Sequence, residues 1–504
     1  MIVDGDEVGN DIDEHFDAVV IGSGAGGAVV AKELAEGGMR VAIIEDGAYH
    51  KLSSHTDLPY EALGRLYRDK GFTTTLGKPA IPIPMGRALG GTTVINSGTC
   101  FRTPKSVLAH WNNDLDLKSL TEESFSAIFD RVEKEINVSE ADFSVMSRAN
   151  TIFHEILTKK GVAGHPLKRN IRGCEGCGFC CYGCPTGAKQ SMDVSYLPKA
   201  FIHGAKAYVN CTFEQFIIEN NRVTGIQANF HRYAGANNGH TLRIKAPRVI
   251  MAAGTFHTPQ LLRDCGVAVE NRNLGRNLTL HPATKVFARF DEEIRGWEGT
   301  PQAYYSEVLK DQGITLEGIF VPPDIAAMTV PFVGRRLNEF MREYKHMATF
   351  GFLISDSSSG RVMKLPLLGT TVLYNLNKAD VEKFRKGVAY LARVFLEGGA
   401  TKVYTLLHGY PEFSTLADVE RLENGPLKAE DIDCMAFHPL GSCRMGSTAE
   451  TGVVGDDFRV YGWEGLYICD GSVIPSPLGV NPQVTIMAFA TRLAYQMLGK
   501  RLTQ

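Results

Sequence analysis

The sequence predicts an α/β fold in which two interleaved domains share one chain. Three observations carry this expectation. "FDAVVIGSGAGGAVVAKELAEGGMRVAIIEDG" (16–47) reads as an apolar strand, a glycine turn, a helix of small and apolar residues, and a second apolar strand. That order at that length is a β-α-β unit. Residues 205–253 alternate strand-like runs with turn residues ("AYVNCTFEQFIIE", "VTGIQANFHR", "HTLRIKAPRVIMAAG"), as a β-meander returning into a buried strand does. The chain turns glycine-rich again near its end and closes on the helical pattern "PQVTIMAFATRLAYQMLGKRL".

Between these units, 106–164 reads as mainly helical, and 285–430 mixes strands with helices. "DVEKFRKGVAY" and "GVAYLARVFLEG" fit one amphipathic helix. At 504 residues the chain exceeds the usual single-domain size and can bury a large core. The formal net charge is −3, with no long basic run, which argues against nucleic acid as a partner. The start, "MIVDGDEVGNDIDEHFD", is acidic and polar, unlike a secretory signal, and no apolar run is long enough for a spanning helix. The expectation is a cytoplasmic protein with reduced thiols.

Gly22, Gly24 and Gly27 form G-x-G-x-x-G between the first strand and its helix. In such a motif the first glycine permits the tight turn. The second lets the backbone approach a pyrophosphate, and the third allows close helix–strand packing. The helix N-terminus offers free N–H groups to the phosphates. Glu45, at the end of the second strand, stands where an acid holds ribose hydroxyls. The motif alone leaves NAD and FAD both open.

Four further stretches follow in order: "GRALGGTTVINSG" (86–98), "AAGTFHTPQLLRDCGV" (252–267), "HPLGSCRMG" (438–446) and "ICDGSVIPSPLGVNPQVTIMAFA" (468–490). With the opening unit, the set resembles the glucose-methanol-choline (GMC) flavoprotein oxidoreductases over nearly the whole chain. The resemblance implies a Rossmann-type FAD-binding domain interleaved with an α+β substrate domain built on an antiparallel sheet. Its segments would be 12–105, 165–284 and 431–504 for FAD, with 106–164 and 285–430 for substrate. It places Gly22, Gly24, Gly27 and Glu45 on the ADP half of FAD. Gly90, Gly91, Thr92 and Asn96 would lie along the pyrophosphate and isoalloxazine, and Asp470 and Gly471 near the ribityl and pyrophosphate. Backbone N–H groups in glycine loops suit an anionic reduced ring.

His438 and Asn481 are the expected catalytic pair. A histidine suits removal of a hydroxyl proton as hydride leaves carbon, and an asparagine amide can hold the developing alkoxide. Asn481 also precedes Pro482 and a helix, so an N-cap role is the competing reading. His281 in "NLTLHP" is expected to be structural or flavin-adjacent.

The pairing of histidine with asparagine resembles the cholesterol-oxidase-like and choline-oxidase-like branches. "CGFCCYGCPTGAK" resembles a stretch of the long-chain fatty alcohol oxidase-like branch. Together these imply an apolar, long-chain or sterol-like alcohol, with dioxygen or a redox partner as electron acceptor. The apolar, methionine-bearing stretch 318–347 reads as buried core with an exposed basic part, or as a peripheral membrane contact. Two other function classes stay open. One is a redox-silent flavoprotein lyase or decarboxylase on the same scaffold. The other is a non-enzymatic iron–sulfur or flavin electron carrier.

The loop 172–191, "RGCEGCGFCCYGCPTGAKQS", holds five of the eleven cysteines: Cys174, Cys177, Cys180, Cys181 and Cys184. C-x2-C-x2-C-x3-C-P is the bacterial ferredoxin spacing for iron–sulfur ligation. In ferredoxins the fourth cysteine serves another cluster, and no second run is present here. Iron–sulfur ligands, bare reduced thiols and a zinc site are the three readings.

Overall fold

A computed structural model describes residues 1–500 except 234, 320 and 366–368. Phe320 of the apolar stretch and Arg501 and Leu502 of the closing pattern therefore lie outside the described residues.

Three short, fully buried apolar strands form the centre of a six-stranded parallel sheet. Its order is Ile2–Asp4, Lys206–Val209, Val41–Ile44, Ala18–Ile21, Val249–Met251 and Leu466–Ile468. The helix Gly27–Glu36 lies buried between this sheet, the helix Tyr196–Ile202 and the closing helix Gln483–Leu498. Val29, Val30 and Leu34 on it are wholly buried, worth about 1.5–3 kcal/mol each.

The meander is a second sheet in which Cys211–Glu219, Arg222–His231 and Asn237–Lys245 pair antiparallel, with Ile12–His15 added parallel at one edge. The expected run "AYVNCTFEQFIIE" is two strands, not one. It breaks at Asn210, which takes the left-handed conformation (φ 50°), and the chain passes there from the parallel sheet to the meander.

The other domain rests on a seven-stranded antiparallel sheet. Its order is Glu412–Phe413, Lys402–Thr405, Ala283–Arg289, Met347–Ile354, Ile314–Gly318, Tyr304–Ser306 and His165–Pro166. Helix Lys378–Glu397 unites the two amphipathic patterns and packs on this sheet. Asn377 caps it by accepting the Asp380 N–H at 2.9 Å.

Two expected boundaries shift. Ile2–Asp4 pairs in the parallel sheet, ahead of residue 12, because its partner Ala207–Val209 has a free edge there. His165–Pro166 pairs with Tyr304 and Tyr305, so the first residues of segment 165–284 belong to the antiparallel sheet. The stretch 318–347 contains helices Pro323–Thr329 and Gly334–Glu343. Phe332, Phe340 and Tyr344 are buried with Phe287, while Met328 and Val333 are exposed. No helix among the described residues is long and apolar enough to cross a membrane.

Candidate active site

The site gathers at the carboxyl ends of the parallel strands, where open α/β sheets present ligand crevices. Gly22 follows Ala18–Ile21, Glu45 follows Val41–Ile44, and Asp470 follows Leu466–Ile468 by two residues. Gly22 has φ 102°, and a Cβ there would stand 2.2 Å from the Ala252 carbonyl oxygen. A Cβ on Gly27 would stand 1.9 Å from the Gly22 oxygen. Both demand glycine by their own packing. Gly24 differs: a Cβ there would meet nothing closer than the Gly91 Cα at 3.9 Å. Its bareness serves space rather than fit, as close approach to a phosphate requires.

Ser23, which the sequence reading passed over, joins the two glycine loops. Its Oγ accepts the Gly90 N–H at 2.9 Å and donates to Glu45 Oε2 at 2.5 Å. Glu45 also accepts the N–H groups of Ser23 and Gly47. Burial raises the Glu45 carboxyl above its ordinary value, against these hydrogen bonds. Gly90 is left-handed (φ 104°), which starts the short helical turn Gly91–Val94 carrying Thr92. Asn96 donates to Gln483 Oε1 at 2.9 Å and so ties its loop to the start of the closing helix.

Asp470 is buried and accepts from Gly254 N, Thr258 Oγ1 and Ser472 N. Burial raises its carboxyl too. Gly471 sits against Thr255 Oγ1 and the Pro439 oxygen. Its carbonyl accepts the Gly441 N–H at 3.1 Å, and Thr255 Oγ1 donates to the Pro439 carbonyl at 2.6 Å. These bonds set the loop holding His438 beside the Asp470 loop.

His438 and Asn481 meet, with Asn481 Nδ2 3.3 Å from His438 Nε2. Pro482 occupies the N-cap position of Gln483–Leu498, with no side-chain cap bond, so Asn481 is free of that competing role. His438 Nδ1 and Asn481 Oδ1 are buried without partners. Burial lowers the His438 imidazole to about 4, which keeps it neutral near neutrality.

Two groups frame the pair. His281 Nε2 accepts the Leu478 and Gly479 N–H groups at 2.9 and 3.2 Å, holding the loop that leads to Asn481. Its ring lies 5.6 Å from that of His438. Glu317 was missed from sequence. It is a lone carboxyl in the buried strand Ile314–Gly318, pushed up to about 8 by burial with Asn481 opposing. The signal was present in "ITLEGIF", where one acid interrupts an apolar run.

The two glycine loops approach closely, a Cβ on Gly91 standing 2.8 Å from the Gly24 Cα. With buried unpartnered polar atoms on His438, Asn481 and Ser472, these residues fit a bound dinucleotide. Fold and loops are those of a dinucleotide-binding protein, with His438 and Asn481 in contact beside them.

Comparison with known proteins gives the family. The GMC oxidoreductase family matches residues 63–283 and 365–490, and an FAD binding domain matches 17–57. An uncharacterised GMC-type oxidoreductase of Mycobacterium tuberculosis is 34% identical over 490 residues, covering 96% of this chain and 76% of its own. A long-chain-alcohol oxidase of Arabidopsis thaliana is 31% identical, over 94% of this chain and 66% of its own. A solved formate oxidase variant from Aspergillus oryzae shares the fold with TM-score 0.73 at 17% identity, over 96% of this chain and 98% of its own. The chain belongs to the GMC oxidoreductases and is an FAD-dependent oxidoreductase.

Proposed function

We propose that this protein oxidises a primary or secondary alcohol of apolar, long-chain or sterol-like character, with His438 and Asn481 as its catalytic residues. The observation that carries the reading is the 3.3 Å contact between Asn481 Nδ2 and a neutral His438 Nε2. An alcohol oxygen can take the amide N–H and give its own proton to Nε2. Each group then does what its chemistry allows: the amide donates and the imidazole accepts. Asn481 steadies the charge that grows on oxygen as the C–H bond breaks. FAD, when bound, supplies the hydride acceptor.

Gly22, Gly24, Gly27 and Glu45 would hold the ADP half of FAD. Gly90, Gly91, Thr92, Asn96, Asp470 and Gly471 would hold its central part and ring. The name of the Arabidopsis relative, a long-chain-alcohol oxidase, supports an apolar alcohol and dioxygen as acceptor.

Anaerobic mixing with a long-chain alcohol tests the reading. The yellow protein should bleach in a single turnover and return aldehyde or ketone. Turnover without loss of flavin colour would point instead to redox-silent lyase chemistry.

A further inference from the structure

We propose that Cys174, Cys177, Cys180 and Cys184 are the thiolate ligands of one iron–sulfur cluster of the four-iron type, and that Cys181 is not a ligand. The site is independent of the alcohol-oxidation reading.

Four of the five loop cysteines line one hollow, together with Arg169, Lys189, Thr300 and Pro301. Cys181 is absent from that lining, and its Sγ lies 3.9 Å from Ser97 Oγ. The chain reaches this arrangement by reversals at glycine. Gly173, Gly176, Gly178 and Gly183 all have φ between 65° and 87°, conformations that turn a loop within a residue. At Gly183 a Cβ would also strike the His55 ring at 2.3 Å. The loop closes at its neck, where Arg172 N–H donates to the Ala188 carbonyl and Ile171 bridges Lys189. This closure brings Cys184 back to the first three thiols, so no second cysteine run is needed.

The charge around the hollow asks for an anion. Arg169 is wholly buried and leaves its Nη1 without a partner. Lys189 is also buried, its Nζ donating to the carbonyls of Val94, Asn96 and Cys180. No carboxylate is among the lining residues. Asp193 lies near Lys189 but outside the lining, and burial raises its carboxyl. Two buried cations need a compensating negative charge. A cluster held by four thiolates supplies it.

The thiols already carry hydrogen bonds of the kind that tune cluster sulfurs. Arg169 Nη2 donates to Cys180 Sγ at 3.4 Å, and Lys189 N–H donates to Cys184 Sγ at 3.4 Å. Cys174 Sγ lies 3.7 Å from Thr300 Oγ1. The four thiols line one hollow but do not meet at a single point. Among the described residues, no three histidine, cysteine or acidic side chains converge where one metal ion could bond. That disfavours zinc, which needs converging ligands. In a cluster each thiolate binds a different iron at a corner, which asks for separated sulfurs around a space.

The test is iron and acid-labile sulfide per chain in the full-length flavoprotein. It is purified anaerobically or reconstituted with ferrous iron and sulfide, with flavin content counted alongside. About four of each per chain are expected, with an EPR signal after one-electron reduction by dithionite. Cys174→Ser, Cys177→Ser, Cys180→Ser and Cys184→Ser should each lose more than about half of both, while Cys181→Ser keeps them. Flavin-loaded protein without iron after reconstitution overturns the proposal. So does zinc without sulfide, or a Cys181→Ser loss equal to the others. If the four serine variants also lose flavin, the wild-type content and the Cys181→Ser result decide.

Discussion

Lys189 Nζ donates to the carbonyl of Asn96 at 2.6 Å and to that of Cys180 at 2.9 Å. One buried ammonium therefore clamps the cysteine loop onto the loop proposed to run along the flavin. Lys189→Met removes three hydrogen bonds to buried carbonyls, each worth about 1–3 kcal/mol when left unmade. The expected result is a lower melting temperature together with faster flavin loss. Thermal unfolding followed by flavin fluorescence measures both.

His438→Ala should lower kcat/KM about 10²–10⁴-fold with flavin content unchanged, as loss of a general base does. The pH profile is a sharper readout. The neutral imidazole is the accepting form, and it persists down to about 4. kcat/KM should therefore stay level from pH 7 toward 5 and fall only as pH drops through about 4. An acid limb near the ordinary histidine value would contradict the burial seen here.

Asn481→Ala should cost about 10²–10³-fold in kcat, the range for removing one donor to a developing oxyanion. The same change unpairs His438 and Glu317, so stability should fall by about 1–3 kcal/mol. Stopped-flow reduction of the flavin by alcohol isolates the affected step.

Glu317 sets a pH dependence of stability. Its carboxyl is raised to about 8 in the folded chain. Between the ordinary glutamate value and about 8 the folded state holds a proton that the unfolded state has lost. Stability from this group is thus greatest at low pH and is lost as pH rises through that window. Glu317→Gln should remove the loss, making the variant more stable than wild type at pH 8 by a few kcal/mol and nearly equal to it at pH 5. Chemical denaturation at the two pH values reads the difference.

His281→Ala leaves the Leu478 and Gly479 N–H groups unpaired, at about 1–3 kcal/mol for each buried donor. The loop ahead of Asn481 should loosen. The variant is expected to melt earlier and to lose kcat more than it gains KM, as steady-state kinetics on a long-chain alcohol would show.

What was legible in the sequence followed from local rules. Gly22 and Gly27 announced their turn because each answers a packing need of the backbone. His438 and Asn481 were named from motifs that resemble the GMC oxidoreductases, and the fold brings their side chains to 3.3 Å. Ser23 stayed hidden because its role is a bond to Gly90, 67 residues away. Glu317 was hidden for a similar reason, since its importance comes from facing Asn481 across the domain junction. The five cysteines were visible, but their sorting into four and one depends on where each Sγ points. The N-terminal strand Ile2–Asp4 was missed because an acidic, half-buried edge strand carries no apolar alternation.

The strand Leu466–Ile468 completes a sheet whose other members begin at Ile2. During synthesis, domains ordinarily settle as units from the N-terminal end. Here the nucleotide-binding half cannot do so. Its edge at Val249–Met251 stays open until residue 466 has left the ribosome, and an open strand edge is a template for unwanted pairing. Production of this protein should therefore be most vulnerable to ribosome stalling late in the message, and to nonsense codons there. A chain stopped near residue 460 would hold four of the five motifs and still present a raw sheet edge to its neighbours.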